Sequence, residues 1–199
     1  EVGILTNYPH TNIVNYYGHS LTPDGRLHSI YLEYVPTGSI DKILAEFECF
    51  KEPVICKYTR QILSDIKGAN ILVTPNGDVK LADFGTAKRI QSSAQNHTAI
   101  GTPHWMAPEV VNNKKYTLSA DIWSLGCTII EMATKSPPWN EFDEGTIRDI
   151  AKSDKIPAFP KTLSPDGKEF LKLCFQRDPK SRPSAAELLK HSFLKKHPA

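Results

Sequence analysis

Asp65-Ile66-Lys67-Gly68-Ala69-Asn70, followed by Ile71-Leu72-Val73, the turn Thr74-Pro75-Asn76-Gly77-Asp78, Val79-Lys80-Leu81 and Asp83-Phe84-Gly85, is the stretch that decides how this chain is read. Two apolar triplets around a Pro-Asn-Gly turn predict a short antiparallel β pair. Asp65 and Asn70 lie on the loop before that pair and would face Asp83 just after it. Hard oxygen donors of this kind suit Mg²⁺, and Lys67 offers a positive charge beside them. Moving a phosphoryl group from ATP needs a carboxylate to orient the hydroxyl nucleophile, ligands for a metal, and charge to neutralise the migrating group. Taken alone, either aspartate reads as a solvated turn residue. The order and spacing of the whole set carry the information.

Working outward, Ile13-Val14 with Tyr16-Tyr17, and then Ile30 to Val35, flank Thr22-Pro23-Asp24-Gly25, so a hairpin is expected upstream. Val2, Ile4 and Leu5 suggest the end of a short helix before it. Pro36-Thr37-Gly38-Ser39 breaks the pattern, and helical spacing resumes through Ile40, Ile43 and Leu44. A second helix is predicted over 53–63, with Val54, Ile55, Tyr58 and Ile62 on one broad face. Residues 83–109 are polar with little periodicity and predict a long loop, a feature that in compact domains is usually functional or disordered. From about Ser119 to Ala133 the pattern is apolar nearly all round, which belongs at the centre of a helical lobe. Ser164 before Pro165 is an N-cap with proline at the first helical position. Ser184 with Glu187 is a capping box. These two signals are read as opening the last two helices. The expected fold class is α+β, a small β-rich beginning and a larger, mainly helical remainder.

The 199 residues fit one domain or a domain plus a fragment, with 40% hydrophobic residues for a core and 23% charged residues for a surface. A net charge of +2 argues against a basic nucleic-acid module and against an acidic tail. Cys49, Cys56, Cys127 and Cys174 form no Cys-x-x-Cys pair and no disulfide ladder, which suggests a reducing compartment and a cytoplasmic protein. No apolar run reaches the ~18 residues of a membrane span. The chain opens on Glu1 in mid-pattern and reads as a fragment.

With Ala107-Pro108-Glu109 added, the order D-x-K-x-x-N, hairpin, D-F-G and A-P-E resembles the protein kinases. The likeness runs from Glu1 to about Leu194. It implies that Asp65 is the catalytic-loop aspartate, that Lys67 contacts the γ-phosphate, and that Asn70 and Asp83 hold Mg²⁺. Glu1 matches the helix-C glutamate that pairs with the ATP-binding lysine. Leu32 falls at the gatekeeper position, the backbone of Glu33 to Val35 would be the hinge that bonds adenine, and Ser39 lies near the ribose. Thr102 would bond the catalytic Asp and Lys. Asp121 would tie the central helix to the catalytic loop, and Glu109 would form a buried ion pair with Arg182. Thr98 stands where an activating phosphate is common, while Ser92 and Ser93 read as solvated hydroxyls.

The wording of Leu32-Glu33-Tyr34-Val35-Pro36-Thr37-Gly38-Ser39-Ile40 and of Gly101-Thr102-Pro103-His104-Trp105-Met106 is similar to mitogen-activated protein kinase kinase kinases. Related Ste20-type kinases share part of it. The implied activity is transfer of the γ-phosphate of Mg·ATP to Ser or Thr of a downstream kinase, a MAP kinase kinase. ATP and Mg²⁺ are the implied cofactors, with no nucleic-acid or membrane partner and no specified oligomeric state. The implied division is 1–35, the remnant of a small lobe with the end of helix C, two strands and the hinge, and 36–199, the large lobe.

Two departures qualify the likeness. The chain starts at the helix-C glutamate, so the Gly-rich loop and strand lysine fall outside it. Internally, Leu63 and Ser64 stand where kinases have His and Arg, and roughly a dozen residues ahead of the catalytic loop are missing. The missing arginine would have received a phosphate on Thr98, and the missing histidine would have packed beneath Phe84. The expectation is an inactive polypeptide of kinase ancestry. The alternative from another class is a non-catalytic, pseudokinase-like module that binds partners through its helical lobe.

Overall fold

The computed structural model describes residues 6, 10–64, 71–81, 103–112 and 117–196. Among the described residues the elements run β1 (Tyr16–Leu21), β2 (Leu27–Leu32), α1 (Ile40–Glu46), α2 (Glu52–Ser64), β3 (Ile71–Val73) and β4 (Val79–Leu81). They continue with α3 (Pro108–Val111), α4 (Leu118–Thr134), α5 (Glu144–Lys152), α6 (Pro165–Cys174), α7 (Ala185–Leu188) and α8 (Ser192–Lys195). Short 3₁₀ turns precede α3 at Pro103–Trp105 and α7 at Pro179–Ser181. The fold is α+β, a small β-strand lobe and a larger helical one.

Apolar residues stand on every side of α4, so no face of it can be left in water. Ile122, Trp123, Leu125, Ile129, Ile130 and Met132 are all buried, and α2, α6 and the first 3₁₀ turn pack around them. Phe175, just past α6, sets its ring edge-on to Trp123 at 4.9 Å between centroids. It comes so close to α4 that only Gly126 fits beneath it. The helix ends at Lys135, which takes the left-handed cap conformation (φ 64°) and donates its N–H to the Glu131 carbonyl. Glycine usually fills that position, and a lysine there costs about 1–2 kcal/mol. Helix α2 is tied to the far end of the chain, because Cys56 Sγ and the Arg60 guanidinium donate to the carbonyls of Phe193 and Leu194.

The two hairpins share one turn chemistry. Thr22-Pro23-Asp24-Gly25 and Thr74-Pro75-Asn76-Gly77 each close with the glycine N–H on the threonine carbonyl, and the threonine N–H on the residue after the glycine. Gly25 and Gly77 sit at φ 79° and 73°, where a side chain is strained. β1 and β2 pair antiparallel with two irregularities; β3 and β4 pair in regular register from Ile71 with Leu81 to Val73 with Val79.

Both predicted hairpins form, with the strands of the first shifted toward its turn. Ile13-Val14 and Glu33 to Val35 do not belong to it. Instead Val14 donates its N–H to the Leu81 carbonyl, and Leu81 donates to the Asn12 carbonyl at 2.6 Å. Segment 12–14 is thus held by β4, a partner distant in sequence that local alternation cannot reveal. Ile13, Val14, Val35 and Leu81 form a small apolar cluster of their own, against which Leu32, Ile71 and Leu72 pack.

The helices over 53–63 and 119–133 appear within a residue of expectation, as Glu52–Ser64 and Leu118–Thr134. Both capped starts are present: Ser164 accepts from the Gly167 N–H, and Ser184 and Glu187 form the reciprocal box. They do not open the last two helices, because α8 follows α7. Helix α5 was not anticipated, although Asp143 caps it by accepting from Thr146. The expected loop 83–109 includes, in its described part, a 3₁₀ turn and the start of α3. The helical end expected at Val2 to Leu5 lies outside the described residues.

Candidate nucleotide-binding site

Between β2 and α1 the chain crosses from the β-rich part to the helical part through 33–35 and a turn at Pro36-Thr37. Leu32 ends β2, half-buried against the small cluster, and Val35 is buried within it. The Glu33 N–H donates to the Asn15 carbonyl at 2.8 Å, and the Val35 carbonyl accepts from Gly38. Neither the Glu33 carbonyl nor the Val35 N–H takes part in the backbone bonds of the described residues. An acceptor and a donor two residues apart, beside Leu32, Val35 and Leu72, offer what the edge and face of a purine need. Leu72 was not singled out from the sequence; as the middle residue of a three-residue strand it carried no signal of its own. Ser39 stands at the N-cap of α1 with extended backbone, yet its hydroxyl makes no capping bond. That leaves the hydroxyl available to a ligand.

The side chain of Glu33 is committed elsewhere. Its Oε2 accepts from the Asn15 N–H at 3.0 Å, Asn15 Nδ2 at 2.9 Å and Lys80 Nζ at 2.7 Å. The Lys80 ammonium, with help from Asn15, holds the Glu33 carboxyl below its ordinary range, against a smaller opposing effect of burial. Glu33 and Lys80 also line an open groove of about 500 Å³ with Tyr34, Pro36, Asn76 and Asp78; Leu32 and Ser39 are not part of its wall. Across that groove Asp78 forms a separate pair with Lys57 at 2.9 Å and accepts from Gln61. Asn15 and Lys80 were not anticipated, because their role depends on a contact between distant segments.

Glu109 and Arg182 meet in a two-pronged ion pair, both contacts at 2.7 Å, with side chains 5% and 0% exposed. Arg182 also donates to the carbonyls of Ser119 and Gln176 and lies 5.2 Å from the centre of the Trp123 ring. Asp121 is buried in the first turn of α4 and is engaged rather than free. Glu131 accepts from Trp105 Nε1 at 3.2 Å, yet burial raises its carboxyl above the usual range. Burial likewise pushes the Cys56 thiol up to about 12, and those of Cys127 and Cys174 well above their ordinary value, so these cysteines are packing residues and not nucleophiles.

Glu1, Asp65, Lys67, Asn70, Asp83, Phe84, Thr98 and Thr102 lie outside the described residues. Around them the frame is described on both sides. Because Ile71 pairs with Leu81, the chain enters β3 at the same end of the hairpin where it leaves β4. Asn70 comes one residue before that pair and Asp83 two residues after it. Helix α2 runs through Leu63, which is buried, to Ser64, whose hydroxyl donates to the Arg60 carbonyl. Among the described residues no group of three or more His, Cys, Asp or Glu is placed to hold a metal ion. No helix among them is long and apolar enough to cross a membrane.

Residues 1–194 match the family described as Protein kinase domain. Mitogen-activated protein kinase kinase kinase 3 of Arabidopsis thaliana is 49% identical over 210 residues, covering 98% of this chain and 34% of that protein. Mitogen-activated protein kinase kinase kinase YODA of the same plant is 48% identical over 211 residues, with coverage of 98% and 24%. Mitogen-activated protein kinase kinase kinase A of Dictyostelium discoideum is 45% identical over 210 residues, with coverage of 98% and 22%. The chain therefore spans about a third or less of the length of these relatives. Each aligned stretch is longer than this 199-residue chain, so each relative carries residues with no counterpart in it.

Proposed function

Because the chain belongs to the protein kinase family, with a domain highly similar to those of mitogen-activated protein kinase kinase kinases, we propose that its parent protein phosphorylates Ser or Thr on a downstream kinase, a MAP kinase kinase. The observation that carries the nucleotide half of this reading is the hinge. The Glu33 carbonyl and Val35 N–H are left without backbone partners among the described residues, beside Leu32, Val35 and Leu72. In this reading adenine would sit there, with the Ser39 hydroxyl, which makes no capping bond, near the ribose.

Asp65 orients the acceptor hydroxyl and Lys67 neutralises charge on the transferring group. Asn70 and Asp83 are oxygen donors suited to Mg²⁺, which supplies charge neutralisation at the phosphates when bound. The hairpin register supports their sharing a site, since it brings the chain back to one end between them. In this reading 1–35 is the remnant of the small lobe, and 36–199 is the large lobe.

A second reading, of this polypeptide as a non-catalytic binding module, is favoured by one observation. Helix α2 continues to Ser64, the residue immediately before Asp65. The relatives carry extra residues somewhere in the alignment, and the motif order puts the gap at this junction. We therefore expect no measurable phosphotransfer from the 199-residue chain. Incubation with labelled ATP, Mg²⁺ and a generic protein acceptor checks this. Incorporation that disappears in Asp65→Asn would overturn it. ATP affinity that rises with Mg²⁺ and loses that dependence in Asp83→Asn supports the kinase reading; absence of ATP binding favours the binding-module reading of this polypeptide.

A further inference from the structure

We propose that Asn15, Glu33 and Lys80 form a clamp that sets the hinge for its nucleotide, with Asn15 and Lys80 as positioning residues that act through Glu33. The inference rests on the nucleotide reading above and adds what controls that site.

Glu33 is held at two levels. Its backbone N–H is fixed by the Asn15 carbonyl, and its side-chain Oε2 takes three donors, two from Asn15 and one from Lys80. A residue gripped by both main chain and side chain has little freedom to rotate its carbonyl. That carbonyl is the acceptor offered to adenine. The neighbouring residues Tyr34 and Pro36 are exposed and give no comparable hold.

The grip extends beyond the hinge. Lys80 lies in β4, next to Leu81, whose N–H and carbonyl bond the Asn12 carbonyl and the Val14 N–H. Asn12 Nδ2 returns a bond to the Val79 carbonyl at 2.7 Å. Segment 12–15, the hinge and β4 are thus one bonded block, and β4 is the strand that leads in sequence to Asp83. A change felt at the hinge is delivered to the strand before the metal ligand, and the reverse.

Charge makes Lys80 the critical member. Its side chain is 16% exposed and that of Glu33 is 22% exposed, so water screens the pair only in part. The nearby carboxylate, Asp78, already has Lys57 as its own partner. Removing the Lys80 ammonium leaves Glu33 a half-buried anion supported by Asn15 alone, whereas arginine can restore the contact.

The test uses the full 199-residue chain with fluorescent N-methylanthraniloyl-ADP as probe and amide hydrogen exchange as the second readout. Lys80→Met should weaken probe binding about tenfold, Lys80→Arg should restore it to within about twofold, and Asn15→Ala should fall between. Without nucleotide, Lys80→Met should speed exchange at the Val14, Asn15 and Glu33 amides together, while α4 and α6 keep their protection. Faster exchange across the whole chain, or none at the hinge, overturns the clamp. Coupled exchange with unchanged probe affinity overturns its positioning role. A wild-type chain that binds no probe removes the nucleotide reading, and the exchange pattern then decides the clamp alone.

Discussion

Arg182 spends its guanidinium on three segments at once: the Glu109 carboxylate, the Ser119 carbonyl at the start of α4 and the Gln176 carbonyl after α6. Its side chain is fully shielded from solvent, so loss of either member leaves an uncompensated buried charge. Arg182→Met or Glu109→Gln should cost about 3–5 kcal/mol in urea denaturation, and the double variant less than the sum. Additive losses would show that the pair is not coupled.

At the hinge the magnitudes are smaller and pH gives the sign. The Glu33 carboxyl titrates below its ordinary 4.5 in the folded chain, so on acidification the unfolded chain takes up its proton first. The contribution of Lys80 is complete above that value and is lost as pH falls through the lowered folded one. The stability difference between wild type and Lys80→Met should therefore be flat from about pH 7 to about pH 5 and close below it. Thermal melts across that range check it, and a gap that widens in acid would contradict it. The Glu109–Arg182 pair was implied by the resemblance to protein kinases, through the A-P-E motif, and the structure forms it. The Asn15–Glu33–Lys80 contact was not implied, since nothing local to any of the three marks it.

Helix α4 sets its own propensity against its packing. Gly126→Ala should gain about 1 kcal/mol of helix propensity. The new Cβ would stand 2.8 Å from Phe175 Cζ and 3.0 Å from Cys174 Cβ. Phe175 is 1% exposed and flanked by Trp123 and Phe159, so it has nowhere to move. Overpacking of that kind costs about 1–3 kcal/mol. The clash should win, lowering the urea midpoint with an unchanged slope; a raised midpoint would show that the ring gives way.

Ser184→Ala, which removes a capping box from a helix of four residues, should cost about 1 kcal/mol. Such caps are written within a few consecutive residues, and so Ser164 and Ser184 could be recognised in advance. The ends of the first hairpin could not, because Ile13 and Val14 bond to β4, whose Leu81 lies far along the chain.

At the scale of the whole molecule, a helical lobe built around α4 is joined to a small β-rich part through the cluster Ile13, Val14, Val35 and Leu81. In the proposed kinase reading, activity would depend on the junction between α2, which ends at Ser64, and Asp65. The helix is capped into the lobe by long-range bonds from Cys56 and Arg60, and Gln61 reaches from it to Asp78 and the Val79 N–H. A chain restored with a helix end and a His-Arg pair between Leu63 and Asp65 should keep this packing. Its thermal stability should not fall, and phosphotransfer on a restored chain that also carries the Gly-rich loop and strand lysine ahead of Glu1 is the measurement that separates a lost loop from a lost enzyme.

The sequence by itself determined the family, the α+β class, the two turns and the capped helices, because each rests on side-chain chemistry at short, fixed spacing. Only the tertiary structure decided that Val35 closes a cluster with Leu81, that Glu33 turns its carboxylate to Lys80 while its carbonyl takes no part in the backbone bonds of the described residues, and that Phe175 reserves position 126 for glycine. Those outcomes depend on which distant segments share one volume, and packing, unlike spacing, is a property of the folded chain.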